Sequence, residues 1–186
     1  MNKNLISEIV KIEWTMFDLV NKGVARASCQ ENPDNFNIMR SSQFQAWNEN
    51  LLKSYYSDLI LAQKNDRNLV ELKYIYMMDL SRVQGDTELF SANKHKIIKE
   101  IMQMINECNK RLFEEIPELL NCSRPITPSG VNDDVTSIET YQIGELYTYS
   151  ENTLQLFLDY LIELKENNKN YPFMVMRNTA LLLQSE

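Results

Sequence analysis

Apolar residues return every three or four positions along this chain. Leu5, Ile6, Ile9, Val10, Met16, Phe17 and Val20 form the first such run, the spacing of a helix with one face turned to a core. It predicts a first helix ending near Gly23, followed by the polar loop RASCQENPDN. A longer run carries Met39, Phe44, Trp47, Leu51, Leu52, Tyr55, Leu59 and Ile60, and predicts helix from about Phe36 to Lys64. Further helices are expected near Leu69 to Leu80, Ala92 to Glu115, Ser137 to Asn167 and Tyr171 to Gln184, with RVQGDTE as the main interior break. The expected fold class is all-α.

The pattern reads as one three-helix unit written twice. WNENLLKSYYSDLILAQKNDRN (Trp47 to Asn68) lies without gaps over YSENTLQLFLDYLIELKENNKN (Tyr149 to Asn170). Glu49/Glu151, Asn50/Asn152, Leu52/Leu154, Leu59/Leu161, Ile60/Ile162, Asn65/Asn167 and Asn68/Asn170 are identical. Two amphipathic helices share apolar spacing by default, whereas shared asparagines at matching helix ends point to repetition of a whole unit. The opening helices match more weakly, Glu8-Ile9 over Glu100-Ile101. The second linker is longer by about ten residues and holds the breakers Pro117, Pro125, Pro128 and Gly130. The expectation is a single helical domain, 1–186, in which unit one (about 1–82) and unit two (about 92–186) form a pseudo-twofold bundle. A cleft at their seam would be a natural place for a site.

Composition narrows the chemistry. With 186 residues, 44% hydrophobic and 24% charged, the chain suits one ordinary soluble core. No apolar run approaches the ~20 residues that cross a bilayer. The opening MNKNLISEIVKIEW lacks a signal-peptide core. The expected setting is cytoplasmic, without membrane contact. A net charge of −7 argues against a nucleic-acid partner. The run NKHKIIK (Asn93 to Lys99) is basic, but acids surround it, and it reads as a solvated helix start. Cys29, Cys108 and Cys122 are odd in number and scattered, which argues against a disulfide framework or zinc site and fits a reducing compartment. The lone His95 cannot supply the two Glu-x-x-His pairs of a di-iron bundle; an all-carboxylate Mg²⁺ site stays open without support, and no metal ligands are assigned. Neither G-x-G-x-x-G nor a Walker loop occurs, and no cofactor is indicated.

Several polar residues fall where apolar ones belong. Glu13 sits in the stripe Ile6, Ile9, Val10, Phe17, Val20, and its counterpart in the second half is Ile105. An inward carboxylate needs a cation, hydrogen bonds or a proton. Arg40, Gln43 and Trp47 share one helical face, and the repeat register places Gln142, Glu145 and Tyr149 on the matching face, with Tyr141 alongside. Gly144 in a helix interior costs about 1 kcal/mol, which implies close approach of another backbone or of a ligand. Two readings stand. Glu13, Arg40 and Glu145 form a structural ion-pair network joining the halves, or they line a pocket where Arg40 forks an anion and Glu13 or Glu145 is base or acid.

Cys29, in RASCQ, is either a small buried hydrophobe or a thiol made reactive by Arg26. His95 lies far away in sequence, so no Cys–His pair or Ser–His–acid triad is suggested. Arg124 stands in the second linker as Arg26 does in the first, and both either cap helix ends or line the cleft.

EWTMFDLVNKGVARASCQ, IMRSSQFQAW, RPI and TSIETYQIGELYTYS together resemble a bacterial family of uncharacterised proteins, domain-of-unknown-function family 4125, from about Ile9 to Ala180. One departure is Val24-Ala25 before Arg26, where a glycine pair is expected; Gly23 falls earlier. The resemblance implies a bacterial cytoplasmic protein and assigns no activity.

Two functions are therefore expected in competition. One is a binding protein or enzyme for a small polar or anionic molecule, its pocket between the halves drawn from Glu13, Arg26, Cys29, Arg40, Gln43, Trp47, Arg124, Glu139, Tyr141 and Glu145. The other is a non-catalytic interaction module, a homodimer or partner of another protein, exposing apolar residues of LKYIYMM (Leu72 to Met78) and FMVM (Phe173 to Met176).

Overall fold

The structure is a computed structural model that describes residues 3–20, 28–80, 83, 89–121 and 136–184. Every regular element among the described residues is helical: α1 (Lys3–Asp18), α2 (Pro33–Gln45), α3 (Glu49–Lys64), α4 (Leu69–Met78), α5 (Ala92–Glu115), α6 (Ile138–Leu146), α7 (Glu151–Glu166) and α8 (Tyr171–Leu183). Short 3-10 turns occupy Ser28–Glu31 and Pro117–Asn121. No described helix is long and apolar enough to cross a membrane.

Each of the two long predicted helices is in fact two. The run from Phe36 to Lys64 breaks between α2 and α3, and the run from Ser137 to Asn167 breaks between α6 and α7. The cause is local capping. Asn48 and Ser150 take extended backbone, and their side chains accept from the amides of Leu51 (2.9 Å) and Thr153 (3.2 Å), starting a new helix at each point. The buried Trp47 and Tyr149 immediately precede these caps, so the apolar period runs through the breaks. α1 and α4 also end sooner than the spacing predicts, at Asp18 and Met78.

The asparagines aligned above make matching bonds. Asn65 and Asn167 cap α3 and α7, donating to the carbonyls of Leu61 (2.9 Å) and Glu163 (2.8 Å). The next residues, Asp66 and Asn168, turn left-handed at φ 50° and 53°, a conformation their short polar side chains tolerate. Asn68 then donates to Met16 O on α1 (2.7 Å), and Asn170 to Cys108 O on α5 (2.9 Å). Each bond ties a helical corner to the opening helix of its own half.

The chain divides into two compact units, Met1–Glu71 with Phe173–Glu186, and Leu72–Pro172. The first holds α1, α2, α3 and most of α8, around a core that includes Ile9, Phe44, Leu51 and Leu59. The second holds α5, α6, α7 and most of α4, around Ile101, Ile105, Leu154 and Phe157. Each unit is thus completed by the third helix of the other sequence half. In the first unit, Asn178 of α8 donates to the buried Ser42 O of α2 (3.1 Å). In the second, α4 lies hard against α6 at Gly144, the position that matches Ser42 in the repeat register. A Cβ there would stand 2.9 Å from Lys73 O and closer still to Met77 Cγ. The mid-helix glycine is therefore the seat of a neighbouring helix.

Gly144→Ala is expected to destabilise the protein by about 1–2 kcal/mol net, because overpacking against the Lys73 backbone outweighs the helix-propensity gain. Urea unfolding midpoints check this; an unchanged or raised midpoint contradicts it.

Candidate functional site

Three polar clusters bear on function, one in the first unit and two in the second. In the first unit, Glu13 is 2% exposed and its carboxylate accepts three hydrogen bonds. Arg40 forks it, Nε to Oε2 at 2.7 Å and Nη2 to Oε1 at 2.6 Å, and Tyr55 Oη donates to Oε1 at 2.6 Å. Arg40 Nη1 also donates to Gln43 Oε1 at 2.8 Å, and its guanidinium lies 4.8 Å from the Phe44 ring centre. Trp47 packs edge-on to Phe44 and Tyr55. The inward carboxylate has found both its cation and its hydrogen bonds, and the fork that could hold an external anion holds Glu13.

In the second unit, Glu145 Oε2 accepts from Lys73 Nζ and Oε1 from Tyr149 Oη, both at 2.7 Å. Lys73 Nζ sits 4.7 Å from the ring centre of Tyr141. The chemistry parallels the first cluster: a carboxylate, a cation on an aromatic face, and a tyrosine hydroxyl. These charges are only slightly exposed, so breaking either pair would strand a partner away from water.

The third cluster lines a cleft of about 590 Å³ along α5 and α6. Its apolar wall is Ile98, Met102 and Ile143, and its polar groups are His95, Lys99, Gln103, Asn106, Glu139 and Tyr147. At one end His95 Nδ1 and Tyr147 Oη share a 2.8 Å hydrogen bond. Burial pushes the Tyr147 phenol above its usual pKa. Lys94 closes the same end, donating to Tyr147 O (2.9 Å) and Tyr149 O (2.6 Å), carbonyls just past the end of α6. At the other end Asn106 Nδ2 donates to Glu139 Oε1 over 3.2 Å, while Asn106 Oδ1 is buried and accepts from nothing among the described residues. No group of three or more His, Cys, Asp or Glu side chains among the described residues could hold a metal ion.

The predicted site residues therefore distribute as follows. Glu13, Arg40, Gln43 and Trp47 gather in the first unit, Tyr141 and Glu145 meet at Lys73 in the second, and Glu139 lies in the cleft. Arg26 and Arg124 fall outside the described residues, as does the side chain of Cys29. Tyr55, Lys73, His95, Lys99 and Asn106 were not singled out by sequence as site residues. For the α5 set a signal existed: positions 95, 99, 102 and 106 step by four, three and four, one helical face. The basic run is also more than a solvated start, since Lys94 and His95 turn toward the end of α6.

Arg40→Met is expected to cost roughly 3 kcal/mol or more, because it leaves Glu13 buried without its cation, whereas Glu13→Leu with Arg40→Met should recover most of that loss. A double-mutant cycle from urea unfolding measures the coupling; independent, additive losses refute the clamp. For Tyr147, the folded state keeps a proton that the unfolded chain has released, so its contribution is complete below the ordinary value of about 10 and declines as pH rises past it. Unfolding midpoints across alkaline pH should fall less steeply in Tyr147→Phe than in the parent chain.

No curated protein and no solved structure matches this chain. A family model described as "Protein of unknown function (DUF4125)" does match, over residues 3–183, which takes in both polar clamps and the whole cleft. By that match the chain belongs to the DUF4125 family.

Proposed function

We propose that this protein binds a small polar molecule in the α5–α6 cleft of the unit spanning Leu72–Pro172, and that Glu13–Arg40–Tyr55 is a structural clamp. The observation that carries this reading is Asn106. A buried amide oxygen without a donor destabilises a fold by about 1–3 kcal/mol, and here it belongs to a residue that lines a concave site beside the half-buried Glu139. The clamp's donors and acceptors, by contrast, meet one another. A cytoplasmic setting belongs to the same reading, supported by the few scattered cysteines.

A second reading, an interaction module, is favoured by one observation: Ile75 and Met78 of α4 are 53% and 88% exposed. We also infer that the two sequence halves are a duplicated unit. The matched work of Asn65/Asn167 and Asn68/Asn170 supports this, as does the packing of a third helix at Ser42 and Gly144.

Native mass spectrometry of the chain purified from its own host tests the binding reading, with Asn106→Leu as the control. The parent is expected to carry a small molecule that the variant lacks. The variant should also be more stable by about 1 kcal/mol, since a function-bound polar group is removed from a buried position. A bare parent spectrum, or a variant less stable than the parent, overturns it.

A further inference from the structure

Resting on that cleft reading, we propose that the ligand is a linear zwitterion, with a cationic nitrogen at the Glu139–Asn106 end, an anionic group at the Lys99 end, and an apolar linker between. The acceptor end is set by what remains unpaired there. Glu139 takes one long hydrogen bond from Asn106 and meets no cation among the described residues. Asn106 Oδ1 is a buried acceptor without a donor among the described residues. The other two such atoms, Asn109 Nδ2 and Gln142 Oε1, belong to residues outside the cleft lining. A half-buried carboxylate on the cleft wall, with the orphaned amide oxygen of Asn106 beside it, is matched by an ammonium or guanidinium group, which donates several charge-assisted hydrogen bonds.

The other end has the opposite sign. Lys99 lines the cleft and makes no ion pair among the described residues, while its neighbours Lys96 and Glu100 pair with each other. His95 stands one turn before it, bonded to Tyr147. Lys99 and Asn106 are seven positions apart on α5, about 10 Å along a helix axis, so the two charges share the cleft without neutralising each other. Between them the wall is the buried apolar trio Ile98, Met102 and Ile143. An amine would leave Lys99 without a counter-charge, and a carboxylic acid would leave Glu139 without one. A molecule with both charges separated by a short methylene chain answers each end and covers the apolar wall.

An amide-resolved NMR titration of the full chain with four probes tests this: ω-aminohexanoate, hexylamine, hexanoate and hexanol. ω-Aminohexanoate should shift α5 and α6 amides and bind about tenfold more tightly than either singly charged probe, the worth of one charge-assisted contact. Glu139→Gln should weaken ω-aminohexanoate and hexylamine by about tenfold and leave hexanoate unchanged. Lys99→Met should weaken ω-aminohexanoate and hexanoate and leave hexylamine unchanged. Hexylamine or hexanol binding in the cleft as tightly as ω-aminohexanoate, or a silent Lys99→Met, overturns the zwitterion while leaving the cleft standing. Four probes that all leave the α5 and α6 amides unmoved sink the cleft itself.

Discussion

The burial of one carboxylate governs how the first unit is built. Glu13 lies on the face of α1 that should be apolar, nearly sealed from water, and an uncompensated charge there would be worth several kcal/mol against folding. Arg40 from α2 and Tyr55 from α3 converge on its two oxygens, so the need to neutralise one atom group fixes how three helices meet. The second unit solves the same problem elsewhere. The position aligned with Glu13 holds the apolar Ile105, and the inward carboxylate is Glu145 on α6, where α4 brings the cation Lys73. Both units use a polar pin, but they place it between different pairs of helices. The cation differs as well: the bidentate fork of arginine in one, the single ammonium of lysine in the other.

That contrast separates structure from function. A polar group whose partners are supplied by its own fold is explained by the fold. Glu13, Arg40 and Glu145 fall in this class by every bond described for them. The residues that call for another explanation are those the fold leaves incomplete, and among the described residues the one of these on the cleft wall is Asn106, at the Glu139 end of α5 and α6. Buried orphans are uncommon in folded proteins, and this one sits beside a carboxylate that meets no cation among the described residues.

Much of this architecture was legible in the sequence, for physical reasons. Apolar periodicity reports an amphipathic face directly, and the inward Glu13 was visible as its interruption. Gly144 was visible because a mid-helix glycine needs a reason. The break before α3 and the break before α7 were hidden, because Trp47 and Tyr149 keep the apolar stripe alive across them; the signal was the capping residue, Asn48 or Ser150, not the period. The exchange of third helices was hidden more deeply. An apolar face on α4 or α8 says that a core must receive it and carries no mark of which core that is. Nor does periodicity rank candidate partners for Glu13, so Tyr55, forty-two positions away, emerged only from the fold.

The basic run at the start of α5 shows how a composition-level feature resolves once individual side chains have destinations. Lys94 is taken up by the carbonyls past the end of α6, where a positive charge opposes the helix dipole. His95 is taken up by Tyr147, and Lys96 by Glu100. Lys99 alone of the four is left facing the cleft without an ion pair among the described residues. At the far end of the same helix pair, Glu139 sits in the first turn of α6, where the dipole favours negative charge. The antiparallel course of α5 and α6 thus sets Lys99 and Glu139, neither in an ion pair among the described residues, at opposite ends of one apolar trough. It is this polarity along the helix pair, rather than any single residue, that would let the cleft read both the sign and the spacing of what enters it.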